Sequence, residues 1–344
     1  MDYSLNNRDS VFDIAVIGAG FAGAYVAGQL ASKGQSVLLI DKARGTGGRM
    51  SSKRLAIGEN AVGFDLGAAS FEVTHPDFER YLNTRDDVSI SAAATGKTAY
   101  AVPRNSVVAR GAVGDAATLF GARVLGASFR DGLWHLQVER SGQKESLQAR
   151  TCIIATPPKQ GAQILGQDHP LFPDLDAVEH EAQWVAMFGL NRGATQIASL
   201  RDLAASGTLQ SNLIQSLIFD HEKQGRTADT TIEPLVVHLT PEWTLQNVDL
   251  QPEQVAERTI KDLAMAINCS PEELGEAIAM QHVHRWLYAR PLQDYSLKGS
   301  YIARPSENLL ICGDYFNVDS EYGLERSFLS AQSLLLGEVS DVLA

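Results

Sequence analysis

Three glycines near the start of the chain have the spacing of a loop that binds a dinucleotide. Gly18 permits a tight turn, Gly20 lets the backbone approach a pyrophosphate, and Gly23 lets a helix pack against the preceding strand. The free amides and the dipole at the start of that helix would attract the phosphates. The spacing therefore predicts a dinucleotide site with candidate contacts at Gly18, Ala19, Gly20, Phe21, Ala22 and Gly23.

Asp41 is a second candidate, and the pattern around the glycine loop shows how it would be positioned. The apolar run Phe12–Ile17 predicts a buried parallel strand, residues 24–33 have the spacing of a helix, and residues 36–40 form a second apolar strand. An acid at the end of that second strand is placed to accept hydrogen bonds from a pair of ribose hydroxyls. This context favours a Rossmann-type unit over a chance glycine turn.

A second loop, rich in glycine and arginine, follows Asp41. It contains Lys42, the pair Gly47-Gly48 and Arg49. NAD has no use for such a loop, whereas FAD extends further through its diphosphate and ribityl chain, where an arginine beside paired glycines can reach the diphosphate. The loop favours FAD as the cofactor, with contacts at Lys42, Gly48 and Arg49, and a solvated basic loop is the alternative.

Near the C-terminus, Gly313-Asp314 follows the apolar run 308–312, as a loop at the carboxyl end of a sheet strand would. Ligands collect at that edge in α/β folds, so Asp314 is a candidate acceptor for ribityl hydroxyls, unless it only caps the following turn. Residues 323–342 then predict a final helix whose N-terminal dipole would face the pyrimidine end of a flavin.

Several segments have amino-acid sequences similar to those of one enzyme family. The stretch from Asp41-Lys42 to Gly47-Gly48-Arg49-Met50-Ser51-Ser52, with Phe64-Asp65-Leu66-Gly67-Ala68, resembles the flavin-dependent amine oxidase superfamily and, within it, the renalase branch. Similar segments follow in the family's order along nearly the whole chain, at 155–158, 183–185, 223–226, 238–243, 284–291, 312–314 and 323–325.

The resemblance implies a fold and further contacts. The expected fold class is α/β, with a discontinuous Rossmann-type FAD-binding domain and an inserted α+β substrate domain built on an antiparallel sheet. The expected division assigns residues 1–72, 104–158 and 290–344 to the FAD-binding domain, and 73–103 and 159–289 to the substrate domain. The further cofactor contacts implied are Ala68, Ala69, Ser70, Val124, Gly313, Gly323, Leu324 and Glu325.

The chain departs from the family pattern at two places. Where relatives usually have a glutamine and an aromatic residue, this chain has Ala69-Ser70. Where relatives tend towards a glycine–methionine pattern, it has Pro103-Arg104-Asn105. Both stretches lie near the flavin or its approach in relatives, so cofactor binding is the firmer expectation and substrate identity the weaker one.

Turn chemistry predicts a β-hairpin in the middle of the chain. Asp131-Gly132 lies between two strand-like runs and matches the tight turn that joins antiparallel strands. The following residues 139–146 are predicted to form a polar turn before a strand at 151–155.

Aromatic and imidazole side chains in the second half of the chain could line a flat cavity over a flavin. A buried, hydrogen-bonded position in the core is the alternative for each of them. Arg285 and Arg290 could bind the phosphate of a nucleotide substrate or form surface salt bridges, and no catalytic acid or base is identified. The residues predicted to line the substrate pocket are Trp184, His238, Trp286 and Tyr322.

Composition excludes some classes of partner. The 344 residues have a net charge of −12, which argues against nucleic acid or an anionic membrane as the main partner. No apolar run is long enough to span a membrane, and the polar first residues do not have the pattern of a secretory signal. Cys152, Cys269 and Cys312 lack metal-ligand spacing, and Cys152 and Cys312 lie in apolar runs where we expect buried thiols. We also expect a reducing, cytoplasmic location, no metal and a non-covalently bound flavin.

Three functions remain open. The first is an oxidase of the renalase type that converts isomeric dihydro-NAD(P) to NAD(P)+ by hydride transfer to flavin N5, with O2 as acceptor giving H2O2. A dihydropyridine is already activated by its ring nitrogen, so the protein needs positioning more than acid–base groups. The second is an FAD-dependent amine oxidase, which a buried lysine near the flavin would favour, although Lys298 is the only late lysine. The third is a flavin-binding protein without turnover.

Overall fold

The computed structural model describes residues 11–58, 60–93, 96–207, 209–226 and 231–337. Its strands are β1 (Val11–Ile17), β2 (Val37–Asp41), β3 (Ser52–Ile57), β4 (Asn60–Asp65), β5 (Phe71–Val73), β6 (Val88–Ala93), β7 (Gly96–Ala101), β8 (Ala117–Phe120), β9 (Ala122–Arg130), β10 (Leu133–Arg140), β11 (Gln143–Ile154), β12 (His180–Asn191), β13 (Ile214–Phe219), β14 (Ile232–Leu239), β15 (Ile278–Pro291), β16 (Ile302–Arg304) and β17 (Leu309–Ile311). Its helices are α1 (Phe21–Ser32), α2 (Pro76–Leu82), α3 (Ser106–Ala112), α4 (Pro158–Leu165), α5 (Phe172–Asp176), α6 (Gln196–Ser206), α7 (Pro241–Gln246), α8 (Pro252–Ala266), α9 (Pro271–Ala277) and α10 (Gly323–Leu336).

The largest sheet contains the parallel strands that the sequence predicts. Its order is β16-β17-β11-β1-β2-β8, and all neighbours in this order except β16 and β17 are parallel. Ile17 is level with Ile40 on one side and with Ile154 on the other, and Ile154 is level with Ile311. The carboxyl ends of β1, β2, β11 and β17 therefore meet at one edge, which confirms the Rossmann-type sheet.

Helix α1 is buried nearly all round because it lies between this sheet and helices α3 and α10. It begins at Phe21, earlier than the predicted residue 24. Gly28 allows α3 to approach, since a Cβ there would lie 2.0 Å from the Ala112 carbonyl oxygen. The final helix α10 starts at Gly323 as predicted and ends at Leu336, while predicted residues 338–342 lie outside the described part of the chain.

The predicted hairpin is confirmed, and a second one follows it. Asp131 and Gly132 both have positive φ, 54° and 76°, which suits the tight turn between antiparallel strands β9 and β10. The predicted polar turn 139–146 is wrong in its extent, because β10 continues to Arg140 and β11 begins at Gln143. Cross-strand pairs such as Glu139 opposite Lys144 extend the ladder through this polar stretch.

A second, four-stranded antiparallel sheet has the order β13-β14-β12-β15, as the inserted domain predicts. One face carries Trp184, Phe188 and Leu235 into a core with helices α6, α8 and α9. The other face carries Val185 and, on β14, Val236 into a smaller core with hairpin β3–β4. Residues on the first face belong to the core of the second sheet. Residues on the other face point towards the half of the molecule that contains the large parallel sheet, here called the Rossmann-type half.

The packing departs from the predicted domain division at two segments. Phe71, Phe78 and Ala99, from the small sheet β5-β7-β6 and helix α2, join the core of α1 and α10 rather than that of the second sheet. Hairpin β3–β4, by contrast, packs on the second sheet. Short apolar segments do not encode which of two larger sheets they cover, and the division itself remains a prediction.

Among the described residues, none of the helices combines the length and the apolar composition needed to cross a bilayer.

Candidate cofactor and substrate site

The first glycine loop lies at the carboxyl edge of β1 and has the predicted steric constraints. Gly18 has a φ of +106°, and a Cβ there would lie 2.8 Å from the carbonyl oxygen of Ala155. A Cβ on Gly23 would lie 1.9 Å from the carbonyl oxygen of Gly18, so α1 packs directly on the turn. A Cβ on Gly20 would meet no atom within 4 Å. The loop is therefore tightly packed beneath and open above Gly20.

The start of α1 can bind an anion. Gly20 is the N-cap and offers no side-chain acceptor, and the first turn contains no acidic residue. Its amides and the positive end of the helix dipole are consequently not neutralised by side chains of that turn. This is the arrangement in which a helix N-terminus binds phosphate.

The second glycine loop packs on the first. Gly47 donates its N–H to the Ala19 carbonyl at 2.9 Å, and Gly20 and Gly47 form a parallel bridge. Gly48 has a φ of +51°, and a Cβ on it would lie 3.1 Å from the Cα of Gly20. The two loops therefore form one continuous backbone surface, and a side chain at position 48 would disrupt it.

Asp41 connects this surface to β2. Its Oδ2 accepts a hydrogen bond from Ala19 N at 2.6 Å, and its Oδ1 accepts one from Ala43 N at 2.7 Å. Burial raises the pKa of Asp41 despite these two hydrogen bonds. Each carboxylate oxygen can accept a further hydrogen bond, as contact with ribose hydroxyls requires. The contact of Asp41 with ribose remains a prediction. Lys42 contacts Gln160 at 3.2 Å, beside the loop.

Arg49 and Asp314 come from the two ends of the chain and form a bidentate ion pair. The Nη1–Oδ2 and Nη2–Oδ1 distances are both 2.6 Å, and the Asp314 side chain is 2% exposed. A Cβ on Gly323, at the start of α10, would lie 3.5 Å from Asp314 Oδ2. The structure thus brings together Arg49, Gly313-Asp314 and the N-terminus of α10. The contacts of Arg49 with a diphosphate and of Asp314 with ribityl hydroxyls remain predictions.

Three of the residues implied by the resemblance have structural partners of their own. Glu325 is fully buried and accepts hydrogen bonds from the backbone N–H groups of Thr74, at 2.8 Å, and His75, at 2.9 Å. Leu324 packs against the core around α1. Val124 belongs to the β9–β10 ladder. Their contacts with a cofactor remain predictions.

The second sheet reaches the segment 66–69 directly. Trp286 Nε1 donates to the Leu66 carbonyl at 3.0 Å, and Lys223 Nζ donates to the Ala69 carbonyl at 2.6 Å. His238 forms a hydrogen bond with the Gly67 backbone. Two side chains of the second sheet and Lys223, in the turn after β13, thus contact residues 66–69, which overlap the predicted cofactor contacts Ala68 and Ala69.

The structure brings three of the four predicted pocket residues towards this region. His238 and Trp286 contact 66–67, and Tyr322 is the N-cap of α10, next to Gly323. Trp184 lies on the opposite face of its sheet, 2% exposed, with Nε1 donating to the Asn247 carbonyl at 3.1 Å. Successive residues of a strand point to opposite faces of the sheet. The prediction that Trp184 lines the substrate pocket is therefore wrong.

Three histidines of the second sheet lie on its inner face, the one towards the Rossmann-type half, and are neutral at pH 7. Burial lowers the pKa of His180, His238 and His284 to about 4, and for His180 the positive charge of Arg49 adds to this effect. The rings of His284 and Trp286 meet edge to face at 4.4 Å. At neutral pH these imidazoles therefore act as uncharged polar groups.

The two arginines proposed for phosphate binding lie elsewhere. Arg285 stacks over the Trp184 ring at 5.4 Å, on the outer face, and Arg290 lies 3.9 Å from Glu181 at the surface. The geometry matches the salt-bridge alternative for Arg290, whereas Arg285 contacts the Trp184 ring and the Val248 carbonyl instead.

A buried charge cluster lies between the two halves and was missed by sequence reasoning. Arg226 Nη1 is 2.6 Å from Asp65 and 2.8 Å from Asp220, and Asp220 also accepts the N–H of Asp65 at 2.8 Å. Lys223 Nζ is 2.7 Å from Asp220, and Arg104 is 3.7 Å from it. Charges at 220, 223 and 226 follow an apolar strand, but the same pattern is common in exposed turns, so only tertiary packing reveals their burial.

The two segments that depart from the family pattern contact each other. Asn105 Nδ2 donates to the carbonyls of Ala68, at 2.8 Å, and Ala69, at 2.6 Å. Ser70 is exposed beside them. The departures at 69–70 and 103–105 therefore form one local arrangement.

Comparison with known proteins agrees with this architecture. Residues 16–84 match the family model described as an NAD(P)-binding Rossmann-like domain. Putrescine oxidase bound to putrescine superposes with a TM-score of 0.61 at 14% identity, covering 95% of this chain and 99% of that one. An oxidoreductase from Methanosarcina mazei gives 0.57 at 11%, covering 94% and 99% of the two chains. A provisionally assigned protoporphyrinogen oxidase from Exiguobacterium sp. 255-15 gives 0.60 at 10%, covering 97% and 99%. At these identities, the chain shares the fold of these proteins.

Proposed function

We propose that this chain is an FAD-dependent oxidase of the renalase type that oxidises isomeric dihydro-NAD(P) to NAD(P)+. When bound, FAD would accept the hydride at N5 and pass the electrons to O2, giving H2O2. The fold, shared with oxidoreductases over nearly the full chain, agrees with such an enzyme.

The meeting of three distant segments carries the proposal for the cofactor. The loop 18–23, the loop 47–49 and Asp314 lie together at the carboxyl edge of the large sheet. Gly20 leaves open space for a diphosphate above the anion-binding start of α1. An extended dinucleotide such as FAD suits a surface that continues from Asp41 to the N-terminus of α10.

Electrostatics favour a neutral ring over a cationic amine as the group that is oxidised. In the candidate site and in the buried charge cluster beside it, Asp65, Asp220 and Asp314 are each paired with arginine or lysine. Histidines on the second sheet are uncharged at neutral pH, because burial lowers the pKa of His238 and His284 to about 4. A cationic amine would find no unpaired carboxylate among these described groups.

The side chains on this face suit orientation better than proton transfer. A base with a pKa of about 4 takes up protons weakly at pH 7, so His238 is a poor general base. Trp286 is fixed by its hydrogen bond to Leu66 and can support a flat ring. Hydride donation from a dihydropyridine needs this positioning and no base.

An amine oxidase is the second candidate, and one observation favours it. Lys223 is a partly buried lysine in contact with Ala69, the kind of residue expected for amine oxidation, whereas Lys298 is exposed. The shared fold with putrescine oxidase is compatible with this candidate as well.

Anaerobic reduction of the purified FAD-loaded protein separates the candidates. A panel of dihydronicotinamide isomers, including 1,4-NADH, and of amines such as putrescine would be mixed with the protein while the flavin absorbance is followed. We expect rapid bleaching by one or more non-1,4 isomers, with H2O2 formed after air is admitted. Bleaching by amines alone would overturn the proposal in favour of an amine oxidase. Bleaching by none of them, with flavin bound, would favour a flavin-binding protein without turnover.

A further inference from the structure

Lys223 makes two contacts that join the halves of the molecule. Its ammonium lies 2.6 Å from the Ala69 carbonyl oxygen, on the Rossmann-type half, and 2.7 Å from Oδ1 of Asp220, at the end of β13. The Lys223 side chain is 16% exposed and that of Asp220 is fully buried. A flexible lysine is therefore held in one place by a carbonyl and a carboxylate.

The charge of Lys223 is in excess of what the cluster needs for neutrality. Asp65 and Asp220 contribute two negative charges, and Arg226 contacts both at 2.6 and 2.8 Å. Lys223 and Arg104 raise the positive charges to three, which leaves one net positive charge. Replacing Lys223 by a neutral residue would leave the two carboxylates balanced by the two arginines.

The hydrogen bond from Lys223 also exceeds what its acceptor needs. The Ala69 carbonyl already accepts from Asn105 Nδ2 at 2.6 Å. A carbonyl oxygen has two lone pairs, and one neutral donor is enough to satisfy it when buried. Burial of an ammonium is unfavourable, so a second, charged donor is difficult to explain by stability alone.

We propose that Lys223, in the turn after β13, is a positioning residue that fixes the segment 67–70 and places a positive charge beside it. The inference rests on the proposed function in one respect, namely that residues 68–70 line the cofactor. A positive charge there stabilises the negative charge that the cofactor gains on reduction. Lys223 would thus make the bound flavin easier to reduce.

Three variants separate the charge from the hydrogen bond. K223M removes both, K223Q removes the charge and keeps a neutral donor, and K223R keeps the charge. K261M is the matched control, since Lys261 pairs with Glu257 on the exposed face of α8. The midpoint potential of the FAD-loaded proteins would be measured by titration with dithionite and a reference dye.

We expect K223M and K223Q to lower the midpoint potential and to slow reduction by the best substrate about tenfold. K223R and K261M should resemble the wild type. Burial lowers the pKa of Lys223, so the difference between wild type and K223M should shrink at alkaline pH as the wild-type ammonium loses its proton. Wild-type potentials in K223M and K223Q would overturn the proposal, as would an equal loss in K261M.

Failure of this inference differs from failure of the proposed function. If no dihydronicotinamide bleaches the wild type, the proposed function fails, but the dithionite titrations still test Lys223. If the purified protein holds no FAD, hydrogen exchange of the Gly67 and Ala68 amides tests the positioning role. These amides donate to Ser51 and Arg49, so K223M should exchange them faster than K261M does, and equal exchange would overturn the role. If K223M does not fold, K223Q, which keeps a neutral donor, still tests the charge through the midpoint potential.

Discussion

The candidate cofactor region and the interface between the two sheets differ in the groups that form them. Around Gly18, Gly20 and Gly48 the surface is backbone, and the constraints are steric, as the short distances to an added Cβ show. Around Asp220 and Arg226 the surface is charged side chains, and the constraints are electrostatic. The first region should therefore respond to added volume and the second to lost charge.

The largest effect is expected from volume added to the glycine loop. In G23A, the new Cβ would lie 1.9 Å from the rigid Gly18 carbonyl oxygen, so we expect destabilisation of more than about 4 kcal/mol or failure to fold. Thermal unfolding and the yield of soluble protein measure this.

G20A is the matched control for G23A. Gly20 has a φ of −63° and open space around the added Cβ, so we expect a change in stability of less than about 1 kcal/mol. FAD affinity should nevertheless fall, because the methyl group occupies the space proposed for the diphosphate. A stable G20A that binds FAD like the wild type would place the diphosphate elsewhere, and a stable G23A would contradict the steric account.

Removing the central charge of the interface should have the next largest effect. In R226M, Asp65 and Asp220 would remain buried without the one arginine that contacts both of them, and breaking a buried ion pair costs about 3–5 kcal/mol. Urea unfolding at pH 7 measures this loss. A loss no larger than that of a surface substitution would show that water reaches the cluster and screens it.

A moderate effect is expected from pH through three buried histidines. The folded-state pKa of His180, His238 and His284 is lowered from 6.5 to about 4, mainly by burial. Between these values the unfolded chain binds more protons than the folded one, so stability should fall as the pH decreases from about 6.5 to 4. H238Q should show a shallower fall than the wild type in urea unfolding at several pH values. An unchanged slope would show that His238 takes up its proton normally in the folded protein.

The smallest effect is expected for an exposed ion pair outside both regions. Glu257 and Lys261 are one helical turn apart on α8, with side chains 65% and 60% exposed. Solvent screens such pairs, so E257Q should leave the urea midpoint and flavin potential unchanged. A clear shift in either quantity would mean that loss of charge also matters outside the interface, at a solvent-exposed site.

The sequence was sufficient for elements whose signal is local. Gly18 and Gly23 have the strain and the close approach that the motif predicts, and Asp131-Gly132 forms the expected hairpin. Cys152 and Cys312 are buried in the strand regions as expected, where burial raises the pKa of Cys312 to about 12. Each of these features depends on neighbouring residues or on a strand's apolar run.

Features that depend on distant partners were not predictable. Trp184 and His238 both lie in strand-like runs, and only the packing of the second sheet decides which of them faces the large sheet. Likewise, nothing near Lys223 in the sequence indicates that it contacts Ala69, because the two residues are 154 positions apart.

By itself, the sequence determined the dinucleotide-binding unit, since a strand, a glycine turn and a helix are specified by adjacent residues and by the conformations that glycine alone adopts easily. Tertiary structure decided the rest of the site. It paired Arg49 with Asp314 and buried the charges of Asp65, Asp220 and Arg226 against each other. Burial and ion pairing are properties of the assembled fold, because a charged residue in a short segment has the same local pattern whether it meets water or a partner.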